Sequence, residues 1–140
     1  MDAALSSDQP RSRRHESMNM TPSDQFQSWL ATHAGFNGLL ACCVGFSNKT
    51  CICASGLEEY QGAAMNLVMR SLSDAFDVAG LHKIPASEQR WTFDKAIVLC
   101  ARRPDRHFIA LFLEKNEGAA DMIQARQVIE EFKTFPLLTP

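Results

Sequence analysis

The stretch from Leu57 to Ala79 constrains the fold more than any other part of the chain. Projected at about 100° per residue, Leu57, Ala64, Val68, Ser71, Leu72, Ala75 and Ala79 gather on one side. Tyr60, Leu67 and Val78 widen that stripe on one flank, and Met65, Met69 and Phe76 widen it on the other. Only Glu59, Asn66, Arg70, Ser73, Asp74 and Asp77 make a polar strip. The apolar arc is about 200°, against the roughly 100° that a helix lying on one sheet needs. Such a helix requires a second cover. Ser55-Gly56-Leu57-Glu58 has capping-box spacing at its start, and Gly80 suits the left-handed residue that ends a helix. On this projection Leu57, Ala64, Val68 and Ala75 face the sheet, and Met65, Met69, Leu72 and Phe76 form the surplus.

The flanking segments supply that sheet. Phe26, Trp29, Leu30 and His33 recur at helical spacing, with Ser23 or Asp24 as the cap and Gly35 as the stop. Phe36 to Phe46 and Thr50 to Ala54 are apolar runs split by the polar turn Ser47-Asn48-Lys49, the pattern of a β-hairpin. In the first run Leu40, Cys42, Val44 and Phe46 share one side. Leu39, Ala41, Cys43 and Gly45 share the other, and their small size admits a close helix. Beyond Pro85, the segment Glu88 to Phe93 alternates polar with apolar or aromatic residues, as a half-exposed strand does. Lys95 to Ala101 and His107 to Leu113 are buried strands joined through Arg103-Pro104-Asp105-Arg106, with Pro at the favoured second position of a type I turn. Asn116 is placed to cap a last helix whose face is Met122, Ala125, Ile129 and Phe132. The order is α-β-β-α-β-β-β-α, an α+β domain.

Residues 1–22 are polar, with Ser, Pro and mixed charge, and cannot offset their ordering entropy. They are expected to be a disordered tail, with the domain over 23–135 and a short tail over 136–140. A formal net charge of −2 argues against a nucleic-acid partner, which calls for a basic stripe. No apolar run is long enough for a membrane span, and no apolar core follows the N-terminal arginines to make a secretory signal. The expected location is therefore cytoplasmic. The five cysteines, an odd number, read as reduced thiols.

Catalytic and metal signatures are absent at the level of motif. Cys51 and Cys53 with Cys43 and a histidine would be the metal candidates, but one-residue spacing is not that of a zinc knuckle. Lys49-Thr50 lacks the glycine and the following helix of a phosphate loop. Gly45-Phe46-Ser47-Asn48-Lys49 lacks the last glycine of a nucleophile elbow. Cys42, Cys43 and Cys100 lie in apolar strands, where a thiol is inert. The expectation is no enzyme, no cofactor and no metal.

With the element order in place, the chain resembles the roadblock/LC7 family, within the profilin-like and longin-like group. The resemblance covers about Phe26 to Phe132. It rests on GLLACCVGFSNKTCICASG leading into a long helix, and on KAIVLCARRPDRHFIALFLEKN leading into the terminal helix. The turn Ser47-Asn48-Lys49 departs from the Asp- and Gly-bearing turn common in the family. The resemblance implies a five-stranded antiparallel sheet in the order 2-1-5-4-3 with the long helix on one face. It also implies homodimers or heterodimers with another roadblock-type domain, formed through the long helix and an edge strand. Members scaffold or regulate small Ras-like GTPases or motor complexes.

The residues themselves suggest where a partner would sit. The surplus at Met65, Met69, Leu72 and Phe76 is expected at a dimer interface, beside Glu88, Arg90 and Thr92 on the strand that lacks a sequence neighbour. Arg102, Arg103 and Arg106 gather at one hairpin as a possible contact for an anion or an acidic partner. The competing function is a profilin-like sensor of a small ligand, for which Thr92 and Tyr60 are the polar residues available.

Overall fold

A computed structural model describes residues 20–33, 35–84, 87–116 and 120–138. The expected tail over 1–22 lies outside the described residues as far as position 19. From there the chain forms α1 (Pro22–His33), β1 (Leu39–Gly45), β2 (Cys51–Ala54), a 3-10 turn (Glu58–Tyr60), α2 (Ala63–Leu81), β3 (Glu88–Thr92), β4 (Ala96–Arg102), β5 (Phe108–Glu114) and α3 (Met122–Thr134). The five strands pair antiparallel in the order β2-β1-β5-β4-β3, as the resemblance implies. No helix among the described residues is long and apolar enough to cross a membrane.

The two hairpin turns are built alike. Lys49 N–H donates to Phe46 O at 3.0 Å and Phe46 N–H to Thr50 O at 2.8 Å. Arg106 N–H donates to Arg103 O at 3.0 Å and Arg103 N–H to His107 O at 2.8 Å. In each case a type I turn is followed by one left-handed residue, the usual three-residue hairpin loop. That residue is Lys49 (φ 71°) in the first and Arg106 (φ 74°) in the second. Neither is glycine, so each side chain is launched from an uncommon backbone position.

Both faces of the sheet are covered. On one lie α1 and α3, which bury Phe26, Trp29, Leu30, Val128, Ile129 and Phe132 against Cys42, Val44, Phe46, Ala101, Ile109, Leu111 and Leu113. The ring centroids of Phe26 and Phe132 are 5.1 Å apart and those of Phe26 and Phe46 are 6.2 Å apart. Thr21 caps α1, not Ser23 or Asp24. Its Oγ1 accepts from Asp24 N–H at 3.1 Å while Asp24 Oδ2 accepts from Thr21 N–H at 3.3 Å, and Pro22 takes the first helical position. Asp121, not Asn116, caps α3 by accepting from Gln124 N–H at 3.0 Å. The helix therefore starts at Met122, which is 44% exposed, while Ala125, Ile129 and Phe132 are buried as expected.

The other face carries α2, over β1 and β2. Here the expected helix is corrected at both ends. Ser55 Oγ accepts from Leu57 N–H at 3.1 Å and donates to Leu40 O at 2.6 Å, so it closes a local turn and caps no helix. A 3-10 turn follows, and α2 begins only after Gly62, whose φ of 77° a side chain would disfavour. At the far end Gly80 is helical. Lys83 (φ 56°) takes the left-handed position, with Ile84 N–H to Ala79 O at 2.9 Å and Lys83 N–H to Gly80 O at 3.0 Å, a Schellman closure.

The rotation of α2 about its axis is also corrected. Met65, Met69, Leu72 and Phe76 are 4%, 2%, 4% and 2% exposed and pack on Ala41, Cys43, Val98, Cys100, Phe108, Ala110 and Phe112. They face the chain's own sheet and are not its surplus. Ala64 is exposed, Val68 and Ala75 are only half-buried, and Leu57 lies outside the helix. The small side of β1 meets a helix, as expected for Ala41, Cys43 and Gly45. A β-bulge between Leu39 and Ala41 breaks the alternation, however, sending Leu39 to the α1/α3 face and Leu40 to the α2 face.

Candidate interaction surfaces

The unused part of the apolar arc lies on the side of α2 turned away from the sheet. Leu67 is 67% exposed, Val78 53% and Leu81 81%, and Ile84 just beyond the helix is 58% exposed. Ala64 and Ser71 lie beside Val78 on the projection and are exposed as well. This surface is orphaned because one sheet takes up only the Met65-Met69-Leu72-Phe76 stripe. The breadth of the arc was legible in the sequence. Which half stays outside was not.

The second open feature is β3, which lies at the sheet edge. Arg102 N–H donates to Ser87 O at 2.7 Å and Phe93 N–H to Ala96 O at 2.8 Å. Alternation then turns the backbone groups of Ser87, Gln89, Trp91 and Phe93 toward β4, and those of Glu88, Arg90 and Thr92 outward. Arg90 and Thr92 are exposed, as are Trp91 (39%) and Phe93 (48%). Glu88 is different, because its carboxylate turns back onto α3. It accepts from Arg126 at 2.5 and 2.7 Å and from Lys133 Nζ. The Arg126 guanidinium, and after it Lys133, hold the Glu88 carboxyl down to about 2. Glu88 can offer an edge partner its backbone, while its side chain belongs to the chain's own helix.

The arginine cluster resolves into three separate roles. Arg103 donates to Phe132 O and Phe135 O at 2.9 and 2.7 Å and lies over the rings of Phe26 and Phe132. It closes the C-terminus of α3, so it is not free for an anion. Arg102 donates to Asp77 Oδ1 at 2.9 Å and sits over the Phe76 ring. Arg106 donates to the same oxygen at 3.0 Å, and Lys49 reaches Asp77 Oδ2 at 2.9 Å from the other hairpin. The Lys49 ammonium, and the Arg102 guanidinium after it, hold the Asp77 carboxyl below the usual carboxylate range. Both left-handed turn residues thus grip one acid on α2 and pin the helix to the hairpin ends. A cleft of about 520 Å³ opens beside them, lined by Phe76, Asp77, Gly80, Leu81, Arg102, Arg103, Pro104 and Arg106. Of the three arginines there, Arg106 has the most exposed side chain, at 59% against 16% for Arg102 and 10% for Arg103.

The other residues named from the sequence are dispersed. Thr92 is exposed on the edge and Tyr60 packs its ring 5.5 Å from Phe112, so the two do not converge on a ligand. His33 stacks on Trp29 at 4.4 Å and meets Glu131. His107 is buried between Phe26 and Phe46, and its Nδ1 accepts from Ser47 N–H at 3.3 Å. Burial pushes its pKa down. Cys42, Cys43 and Cys100 are buried, Cys51 and Cys53 half-buried. Burial raises the thiol pKa of Cys100 to about 12. Among the described residues no group of three or more His, Cys, Asp or Glu side chains is arranged to hold a metal ion.

No protein-family model and no curated protein matches the chain. Solved structures do. Myxococcus xanthus MglB superposes with a TM-score of 0.55, over 75% of this chain and 80% of that one, at 12% identity. Myxococcus xanthus MglC covers 71% of this chain and 85% of its own, at 16% identity and a TM-score of 0.45. At such identities the MglB likeness concerns the path of the backbone. Together with the strand order 2-1-5-4-3 and the long helix across β1 and β2, it gives the chain a roadblock/longin-like fold.

Proposed function

We propose that this chain is a non-catalytic interaction module that pairs with a second roadblock-type domain and regulates or scaffolds a small Ras-like GTPase. The observation that carries the pairing is the apolar outer side of α2, with Leu67, Val78 and Leu81 exposed on a helix whose sheet-facing stripe is already satisfied. The open edge at β3 supports it, because the outward backbone groups of Glu88, Arg90 and Thr92 can continue a sheet into a neighbour. The interface of this proposal therefore moves from Met65, Met69, Leu72 and Phe76 to Leu67, Ser71 and Val78, and keeps the β3 edge. The GTPase rests on the resemblance to the roadblock family and on the MglB-like fold.

Light scattering on the full chain tests the pairing. A dimer is expected at micromolar concentration. Leu67→Asp with Val78→Asp should give monomers with an unchanged circular dichroism spectrum, because both positions are exposed in the single subunit. A wild-type chain that stays monomeric at about a hundredfold higher concentration would remove self-pairing, leaving a different roadblock-type domain as the partner to mix in. The GTPase half is tested by single-turnover GTP hydrolysis and nucleotide release with a small GTPase of the gliding-motility type. A change in either rate, or a stable complex with one nucleotide state, is expected.

A further inference from the structure

Three of the five cysteines meet on the sheet face beneath α2. Cys43 of β1 lies directly opposite Cys53 of β2, and Cys51 shares their face two residues earlier on β2. The three thiols lie close enough to act on one another, Cys53 pushing the Cys51 thiol pKa up and Cys43 pushing up that of Cys53. Cys51 also donates to Asn66 Oδ1 at 3.0 Å. Cys100 is separated from Cys43 by Ala110, which pairs with both, and Cys42 sits on the opposite face of the sheet.

The kind of strand pair matters. Phe46 N–H bonds to Thr50 O at 2.8 Å, so alternation along the register makes Val44/Ile52 and Cys42/Ala54 the hydrogen-bonded pairs. Cys43/Cys53 is then a non-hydrogen-bonded pair, in which Cα atoms stand about 4.5 Å apart. That lies within the roughly 4.4–6.8 Å that a disulfide spans. The strands need not separate for a bond to form. Cys51 and Cys53, two positions apart on one strand, have Cα atoms about 6.7 Å apart, at the far limit of that range. Cys43 is fully buried, whereas Cys53 is half-buried on the edge strand β2, where a small oxidant can reach it.

We propose that Cys43 and Cys53 are an oxidation site, closing to a cross-strand disulfide when the protein meets a hydroperoxide. The Cys53 thiolate attacks the terminal peroxide oxygen, the O–O bond breaks, and the alkoxide leaves as an alcohol after taking up the thiol proton. Cys53 is left as a sulfenic acid. The Cys43 sulfur then attacks the Cys53 sulfur and expels the sulfenic oxygen as water, which takes up the Cys43 proton. In sum, one hydroperoxide and two thiols give one alcohol, one water and one disulfide. The product ties β1 to β2 under α2 and leaves the Cys51 thiol on its partner Asn66.

The reaction is slow at neutral pH. The neighbouring Cys43 thiol, together with partial burial, pushes the Cys53 thiol pKa up to about 12, and only the thiolate is nucleophilic. The rate should therefore climb about tenfold for each pH unit over the range in which the fold persists. This site accumulates oxidation and does not turn over peroxide.

Peptide mapping under non-reducing conditions tests the proposal on the native full-length chain. The reduced protein is exposed to hydrogen peroxide, remaining thiols are alkylated, and the chain is cut after Lys49, which separates the β1 and β2 peptides. The expected product is a monomer about 2 Da lighter, with the two peptides linked through Cys43 and Cys53. Cys53→Ser should abolish the link, and Cys51→Ser and Cys42→Ser should keep it. A link through Cys51 or Cys42, an intermolecular link, or sulfinic acid in place of any link would overturn it. The wild-type map decides the matter even where a variant folds poorly. None of these outcomes depends on dimerisation or on a GTPase.

Discussion

The two faces of the sheet solve the same packing problem in opposite ways. Under α1 and α3, helices and strands both contribute large side chains, so Phe26, Trp29, Phe46 and Phe132 interlock and Arg103 closes the layer over their rings. Under α2 the strands offer mostly small residues, among them Ala41, Cys43, Cys100 and Ala110, and the helix supplies Met65, Met69, Leu72 and Phe76. The first face is sealed by two helices, whose exposed apolar groups, Met122 and Ile123, lie at the start of α3. The second is covered by one helix with an apolar back. Capping follows the same division, since Thr21 and Asp121 cap α1 and α3 while α2 enters through Gly62 without a side-chain cap. One face is closed by two capped helices, and the other by a single helix whose outer side carries Leu67 and Val78.

The largest expected effect tests whether the aromatic face dominates stability. Phe132→Ala, at a fully buried site, should cost about 3–5 kcal/mol in urea unfolding. Met69→Ala should fall toward the lower end of the roughly 2–5 kcal/mol span for such truncations, because α2 can settle onto the small residues beneath it. Equal losses would break the contrast between the faces.

Next in size is Gly45, over which the Phe108 ring lies. A Cβ there would meet Phe108 Cε1 at 2.1 Å, and Gly45→Ala should cost about 1–3 kcal/mol through overpacking. Phe108→Leu in the same chain should recover part of that loss. A double-mutant cycle with no coupling would mean that the close approach on the α2 face is not what requires glycine.

Loss of the α1 cap in Thr21→Ala is expected to cost about 1 kcal/mol, within the range of about 0.5–2 kcal/mol for such caps. The smallest effect is on pH dependence, and it again separates regions. The folded pKa of His107 lies below its ordinary 6.5, so the unfolded chain takes up the proton first and stability falls with acid below that value. His107→Asn keeps an acceptor for Ser47 N–H and should flatten that part of the Tm–pH curve. Glu88 adds a second loss from about 4.5 down toward 2, because its folded pKa is depressed, and Glu88→Gln should remove it.

Much of this architecture was legible along the chain because its causes are local. Both hairpin turns, the strand alternation and the α+β order follow from residues within a few positions of one another. The boundaries were less legible. A capping box at Ser55 and a stop at Gly80 satisfy local rules, yet Ser55 is drawn to Leu40 O across the sheet, and the Schellman closure falls at Lys83. The site was less legible still. Arg103 looked like a free cation beside Arg102 and Arg106 until the carbonyls of α3 came within its reach.

The sequence by itself determined that α2 carries an apolar arc of about 200°, twice what one sheet covers. It did not determine which half of the arc meets the sheet, because both halves are apolar and differ mainly in size. Tertiary structure decided that. Most of the strand residues beneath are small, so the long side chains of Met65, Met69, Leu72 and Phe76 fill the space, and the ion pairs from two distant hairpins to Asp77 fix the rotation. Leu67 and Val78 are left outside because hydrophobic burial fixes how much of a helix is covered, and shape fixes which side.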